Sequence, residues 1–123
     1  MNNPLNVSQE EWKNRTDLAA SYHLANYFGW SDIIWNHITA KTSRNKNTFL
    51  INKFGLGYDE ITASNLLEID LEGNIVSGDG EINLTGFIIH GAIHNLKKNI
   101  HCVMHTHSRA GLAISCFKMG LEP

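Results

Sequence analysis

Helical and strand patterns alternate along this chain of 123 residues, and their order constrains the fold more than any other feature. Apolar residues at helical spacing predict helices, whereas short apolar runs between turn residues predict strands. This alternation predicts a sheet with helices packed around it, in the α/β or α+β class. The predicted helices cover about 8–29, 62–67, 84–98 and 108–119, and the predicted strands cover about 35–41, 48–52, 67–71, 74–76 and the region around 103–104.

Capping signals support the first and last of these helices. Ser8 and Glu11 form a capping box, in which each side chain is expected to bind a backbone N–H of the other. Gly29 is a good C-terminal stop for that helix, and Ser108 is expected to cap the final one. Because no repeat, low-complexity tract or linker interrupts the pattern, residues 1–123 are predicted to form a single domain.

The composition excludes several classes of protein. The chain is 42% hydrophobic and 18% charged, which is typical of a globular protein and not of a disordered one. Its net charge is −2, and no basic cluster is larger than Lys97-Lys98, so a nucleic-acid partner is not expected. The apolar runs are too short to cross a bilayer, and the residues after Met1 do not resemble a signal peptide. We therefore expect a cytoplasmic protein without a membrane partner.

The two cysteines support the same compartment. Cys102 and Cys116 lie in apolar surroundings, and their spacing does not form a disulfide framework. We expect two reduced, buried thiols, as is usual in the cytoplasm. A disulfide between them is the less favoured alternative.

The sequence His105-Thr106-His107 is the strongest chemical signal in the chain. Side chains two residues apart on a strand point to the same side, so both imidazoles are expected to project together. Such a pair can share one metal ion, and zinc is the expected one because imidazole suits it and its tetrahedral site accepts such a pair. The alternative is a pair of strand histidines that are hydrogen-bonded at a sheet edge.

Several segments in a fixed order resemble the class II aldolase/adducin N-terminal domain family, and its adducin-like branch in particular. The match runs from about Trp12 to the last residue. The segments that carry it are Trp35-Asn36-His37-Ile38-Thr39-Ala40, Phe49-Leu50-Ile51-Asn52, Asp59-Glu60-Ile61-Thr62-Ala63-Ser64-Asn65-Leu66, Asp70-Leu71-Glu72-Gly73, Asn83-Leu84-Thr85-Gly86-Phe87-Ile88-Ile89-His90 and His105-Thr106-His107.

The resemblance implies a three-layer α/β/α fold with a mostly antiparallel central sheet. It also implies a zinc site at the edge of that sheet, often completed near a subunit boundary of a homo-oligomer. In the aldolases of the family, zinc binds the oxygens of a sugar phosphate while a glutamate moves the proton. Compared with the family, the fold of this chain is expected to be incomplete at the C-terminus.

Matched position by position, the resemblance assigns only part of a site. His105 and His107 match the first two zinc ligands, and the third family ligand is a histidine beyond Pro123. Gly86 stands where the family has its catalytic glutamate, so the catalytic group is unknown. The substrate-binding positions implied in this way are His37, Gly55 and Thr85.

Three further residues lie near the implied site in the sequence. His90 matches a helix histidine next to the family site, where it is expected to pack or to orient a ligand. His94 is expected at the surface. Glu81 is the nearest carboxylate to the position of the missing base, although loop carboxylates are usually solvated.

These observations leave three hypotheses. The first is an oligomeric domain with an altered zinc pocket that catalyses metal-assisted aldol cleavage of a small hydroxy-carbonyl substrate. The second is a non-catalytic, adducin-like module for self-association or protein binding. The third is an inactive fragment of a longer aldolase-like protein.

Overall fold

A computed structural model describes residues 3–43 and 47–120. Its helices and strands follow the predicted order, with one exception between the second and third strands. The elements are α1 (Gln9–Tyr27), β1 (Ile38–Lys41), β2 (Thr48–Ile51), a 3₁₀ helix (Tyr58–Glu60), β3 (Leu67–Asp70), β4 (Ile75–Ser77), α2 (Leu84–Leu96), β5 (Cys102–Met104) and α3 (Arg109–Ser115).

The five strands form one sheet in the order β4-β3-β2-β1-β5, and every neighbouring pair is antiparallel. The strands from β1 to β4 follow one another in space as in sequence. β5 comes from the far end of the chain and pairs with β1, with Ile38 opposite Met104 and Ala40 opposite Cys102. This pairing brings the residues that follow β5 beside the residues that precede β1.

Two apolar clusters lie on opposite faces of the sheet, because alternate side chains of a strand point in opposite directions. Leu50 of β2 packs with α1, whereas Phe49 and Ile51 pack with Phe87 of α2. The helices α1 and α2 therefore cover the two faces. The predicted three-layer arrangement with an antiparallel central sheet is confirmed.

The first turn of α1 keeps only half of the predicted capping box. The Ser8 hydroxyl accepts a hydrogen bond from the Glu11 N–H at 3.1 Å. The Glu11 carboxylate instead accepts from Arg15 at 3.1 Å and from the Ser43 N–H and hydroxyl at 3.0 Å. Both charged side chains are 1% exposed, and Arg15 also donates to the Leu66 carbonyl at 3.0 Å. The buried ion pair of Glu11 and Arg15 thus joins α1 to two loops, and Glu11 does not accept from the Ser8 N–H as a capping box requires.

The helix predicted at about 62–67 is wrong, because side-chain hydrogen bonds hold a turn there. The Thr62 N–H donates to Asn65 Oδ1 at 2.8 Å, and the Asn65 N–H donates back to the Thr62 hydroxyl at 3.3 Å. Such bonds compete with helix formation. Leu67 is buried and begins β3, and the short helical turn lies earlier, at Tyr58–Glu60.

The helical spacing of Phe87, Ile88, Ala92 and Leu96 predicts that these side chains of α2 face the core, and for most of them this is wrong. Ile88 and Leu96 are 58% and 77% exposed, and only Phe87 of the predicted set packs against a core cluster. The face that meets the sheet is polar or lacks side chains. Its buried residues are Gly86, His90, Gly91 and His94. The prediction that His94 lies at the surface is therefore also wrong, and α2 ends at Leu96, before the two lysines.

The edge strand β5 and the helix α3 leave apolar surface uncovered within residues 3–43 and 47–120. Cys102 and Cys116 are unpaired, as predicted, but both are exposed, which contradicts their predicted burial. The physical reason is that β5 forms an edge of the sheet and α3 has no buried residue. Among the helices that the structure describes, none has both the length and the apolarity that a bilayer span requires.

Candidate metal centre

The imidazoles of His105 and His107 face each other directly after β5. Their Nε2 atoms are 3.2 Å apart, and their ring centroids are 4.9 Å apart. Two nitrogens bound to one tetrahedral zinc ion at ordinary bond lengths lie about 3.3 Å apart. The pair therefore has the separation of two ligands of a single metal ion.

The backbone of this pair is held by the segment Trp30–His37, which connects α1 to β1. The His105 N–H donates to the His37 carbonyl at 3.0 Å, and the His107 N–H donates to the Trp30 carbonyl at 2.9 Å. Both ends of the three-residue motif are thus fixed to the same connecting segment, which follows from the pairing of β5 with β1.

One imidazole of the pair has a carboxylate partner and the other does not. His107 Nδ1 lies 2.9 Å from Asp32 Oδ2, and the two side chains are 27% and 51% exposed. His105 Nδ1 is buried and has no hydrogen-bond partner among the described residues. Sequence reasoning missed Asp32, because it lies 75 residues from His107 in sequence. Its position in the connection to β1 gives no local signal.

His37 packs against the pair from the start of β1. Its side chain is buried, its ring centroid is 5.1 Å from that of His105, and its Nδ1 lies 3.2 Å from His90 Nε2. Burial, and then the charges of His105 and His107, lower the pKa of His37 to about 4. His37 is therefore neutral at neutral pH.

Gly86 fits its position because His37 occupies the space where a side chain would lie. A Cβ atom on residue 86 would be 2.6 Å from His37 Cδ2 and 2.8 Å from its Cγ. Both distances are shorter than any ordinary carbon–carbon contact. At this position the first turn of α2 thus presents backbone atoms, and no carboxylate, to His37.

A row of hydrogen bonds continues from His37 along the buried face of α2. The Thr39 hydroxyl lies 2.8 Å from His90 Nδ1 and 2.8 Å from His94 Nε2. Burial is the largest cause that lowers the pKa of His90 to about 3 and that of His94 to about 4. Neutral imidazoles can therefore line this interface without buried charge. The expectation that His90 packs beside the site agrees with its contact to His37.

The remaining predicted site residues lie around the start of α2. Thr85 is exposed in the first turn, next to Gly86, and its N–H donates to Asn83 Oδ1 at 3.0 Å. Gly55 lies in an exposed loop with φ +88°, and the neighbouring Phe54 N–H donates to the Glu81 carbonyl at 2.8 Å. No hydrogen bond among residues 3–43 and 47–120 joins Gly55 to the histidines.

The described residues do not form a complete metal site. Among residues 3–43 and 47–120, no group of three or more His, Cys, Asp or Glu side chains is arranged to hold a metal ion. Zinc in proteins normally takes three or four protein ligands. His105 and His107 could therefore provide two of them.

Comparison with known proteins identifies the family. Residues 16–123 match the family described as the class II aldolase and adducin N-terminal domain. The chain belongs to this family. The family predicted from the order of the sequence segments is confirmed.

Relatives in the class II aldolase/adducin family include both aldolases and adducins. Alpha-adducin of Rattus norvegicus is 45% identical over 112 residues, which cover 89% of this chain and 15% of the adducin. An aldolase II superfamily protein from Pseudomonas syringae has a crystal structure that matches with a TM-score of 0.89 and 46% identity, over 96% of this chain and 48% of that one. An L-fuculose 1-phosphate aldolase from Glaciozyma antarctica matches with a TM-score of 0.80 and 32% identity, over 86% and 44%.

The chain spans about half the length of the bacterial family members that it matches. It covers 45% of a Pseudomonas aeruginosa relative and 46% of a Caulobacter vibrioides relative. The comparisons therefore establish the family fold for the part of these relatives that the chain matches.

Proposed function

We propose that His105 and His107 bind zinc and that the domain takes part in metal-assisted aldol cleavage of a small hydroxy-carbonyl substrate. The observation that carries this proposal is the 3.2 Å separation of the two Nε2 atoms. A zinc ion held there would act as a Lewis acid on the carbonyl group of a substrate.

The donor atoms fit zinc in type as well as in distance. Imidazole nitrogen is an ordinary zinc ligand, and a carboxylate that accepts from the other ring nitrogen is its usual partner. His107 has that partner in Asp32. The neutral His37 forms one wall beside the pair without adding a charge that would repel a cation.

Among the described residues no third metal ligand joins the pair, and the position of the family's base holds no carboxylate. Gly86 offers no side chain, and His37 excludes one there. We propose that residues 1–123 act as the N-terminal part of a longer family domain, or within a homo-oligomer whose neighbouring subunit completes the site. We propose the cytoplasm as the compartment, because two exposed free thiols stay reduced there.

The test is turnover of hydroxy-carbonyl substrates, including the L-fuculose 1-phosphate for which the Glaciozyma antarctica relative is named. We expect cleavage that requires zinc, stops with a chelator and is lost in the His105→Ala/His107→Ala variant. The exposed His101 provides a matched control, since His101→Ala should keep full activity. Cleavage that persists with chelator would contradict the proposal.

A non-catalytic module is the second candidate, and the packing of His37 on Gly86 favours it because this contact leaves no room for a carboxylate base. The similarity to alpha-adducin points the same way. In this case the zinc-loaded protein would cleave none of the substrates. It would self-associate in sedimentation experiments to the same degree with and without chelator.

A further inference from the structure

We propose that Asp32 is a positioning residue that fixes the tautomer and the orientation of His107, so that His107 always offers a lone pair to the metal. This inference rests on the proposed zinc binding by His105 and His107. It assigns a role to a residue outside the His-Thr-His motif, and it makes the two histidines of the pair unequal.

The contact between Asp32 and His107 determines where the imidazole proton lies. An ionised carboxylate can only accept hydrogen bonds, so Nδ1 of His107 must donate to Asp32 Oδ2 across the 2.9 Å contact. A neutral imidazole carries one proton, which leaves a lone pair on Nε2. This Nε2 is the atom that faces His105.

The same segment also fixes the backbone of His107, whose N–H donates to the Trp30 carbonyl at 2.9 Å. The His107 ring thus contacts Asp32, and the His107 main chain contacts Trp30, two residues earlier on the same connecting segment. The ring cannot turn about its side-chain bonds without losing the contact to Asp32. The imidazole is therefore already oriented before a metal arrives.

Asp32 is itself held by a closed turn. Its N–H donates to the side-chain oxygen of Asn36, which is fully buried, and its carbonyl accepts from the Trp35 N–H at 2.9 Å. Ile33 follows with φ +49°, a left-handed conformation that is rare for a β-branched residue. Since Ile33 is 75% exposed, packing of its side chain does not account for this strain. The turn that contains this residue places Asp32 Oδ2 2.9 Å from His107 Nδ1.

His105 has no comparable partner. Without metal, His107 Nε2 can only accept, so His105 Nε2 must donate the hydrogen bond across 3.2 Å. His105 then has its lone pair on Nδ1, which is buried without a partner among the described residues. To bind a metal through Nε2, His105 must release that proton to solvent and take up one on Nδ1. Only His107 offers its Nε2 lone pair before a metal binds.

Long-range ¹H–¹⁵N NMR of the metal-free, full chain tests the tautomer directly. In the wild type we expect His107 to carry its proton on Nδ1, and in Asp32→Ala we expect it to lose this preference. Asp79→Ala, at an exposed loop position, is the matched control and should leave the tautomer unchanged. A wild-type proton on Nε2, or an unchanged tautomer in Asp32→Ala, would overturn the inference.

Zinc affinity, measured by competition with a chromophoric chelator, provides the second readout. Loss of such a carboxylate partner typically weakens metal binding by about 10–100-fold, and we expect this range for Asp32→Ala. Asp32→Asn keeps an acceptor without the charge and should show a smaller loss, while Asp79→Ala should bind as the wild type does. Equal affinity of Asp32→Ala and Asp79→Ala would overturn the role of Asp32 in metal binding. A wild type that binds no zinc would contradict the proposed function, while the NMR result still decides whether Asp32 sets the tautomer.

Discussion

At the scale of single residues, the His37 ring packs directly against Gly86 in the candidate site. The imidazole of His37 lies where a side chain at residue 86 would project, so the identity of each residue depends on the other. Alanine favours a helix over glycine by about 1 kcal/mol, and this gain opposes the steric cost of a new methyl group. The steric cost should exceed this gain, because His37 is buried and hydrogen-bonded to His90 and cannot easily move.

We therefore expect Gly86→Ala to lower the free energy of unfolding by about 1–3 kcal/mol, measured by urea denaturation. Gly91→Ala in the same helix is the matched control. A Cβ there would lie 3.3 Å from a Phe87 ring carbon, a tight contact whose small cost the helix propensity of alanine should offset, so its effect should be much smaller than that of Gly86→Ala. In a His37→Ala background, Gly86→Ala should no longer destabilise the fold. Equal stability of the two alanine variants would refute the packing account.

The paired histidines could be predicted from sequence because they are two residues apart, although they lie just after β5 and not on the strand as expected. Their contacts with other residues could not be derived from spacing alone. Asp32 contacts His107, and His37 contacts His105, only because β5 pairs with β1. The spacing of residues along a sequence does not reveal the order of strands in a sheet. The family resemblance assigned His37 to the substrate-binding positions of the site, whereas nothing in the sequence pointed to Asp32.

At the scale of elements, α2 shows how the hydrophobic pattern can mislead. Its most apolar side chains face away from the sheet, and its buried face consists of glycines and neutral histidines. Glycine allows a close approach, and the Thr39 hydroxyl satisfies two of the ring nitrogens. Period and apolarity alone predict the opposite face, because they treat a histidine as a surface residue.

The buried histidines of α2 predict a pH dependence of stability. His90 and His94 have folded-state pKa values of about 3 and about 4, both lowered from an ordinary value near 6.5. At pH values between the folded-state pKa and about 6.5, these histidines bind protons in the unfolded chain but not in the folded one. Stability is therefore complete above about pH 6.5 and falls as the pH drops towards 4, by up to about 1.4 kcal/mol per pH unit for each histidine.

Urea denaturation with chelator present, between pH 7 and pH 4.5, would measure this slope. Lys41 and His101 also face His94, and their positive charges oppose its protonation in the folded state. His94→Gln removes one titrating group but can still bind Thr39, so its slope should be shallower than that of the wild type. An identical slope in the variant would contradict the assignment.

At the scale of the whole molecule, the layered fold follows from the order of the elements. Short strands between amphipathic or capped helices must bury both sheet faces, and α1 and α2 do so on opposite sides. Sequence predicted this arrangement, but it did not predict the turn at 62–65, where side chains of Thr62 and Asn65 bind backbone groups. It also missed the exposure of β5 and α3.

The fold that this chain shares with aldolases and adducins brings together two histidines that we propose bind one metal ion. Elemental analysis of zinc per folded chain tests this claim most directly, in the wild type and in His105→Ala/His107→Ala. We expect near-stoichiometric zinc in the wild type and its loss in the double variant, with circular dichroism showing that both are folded. A well-folded wild type that contains no zinc would contradict the claim.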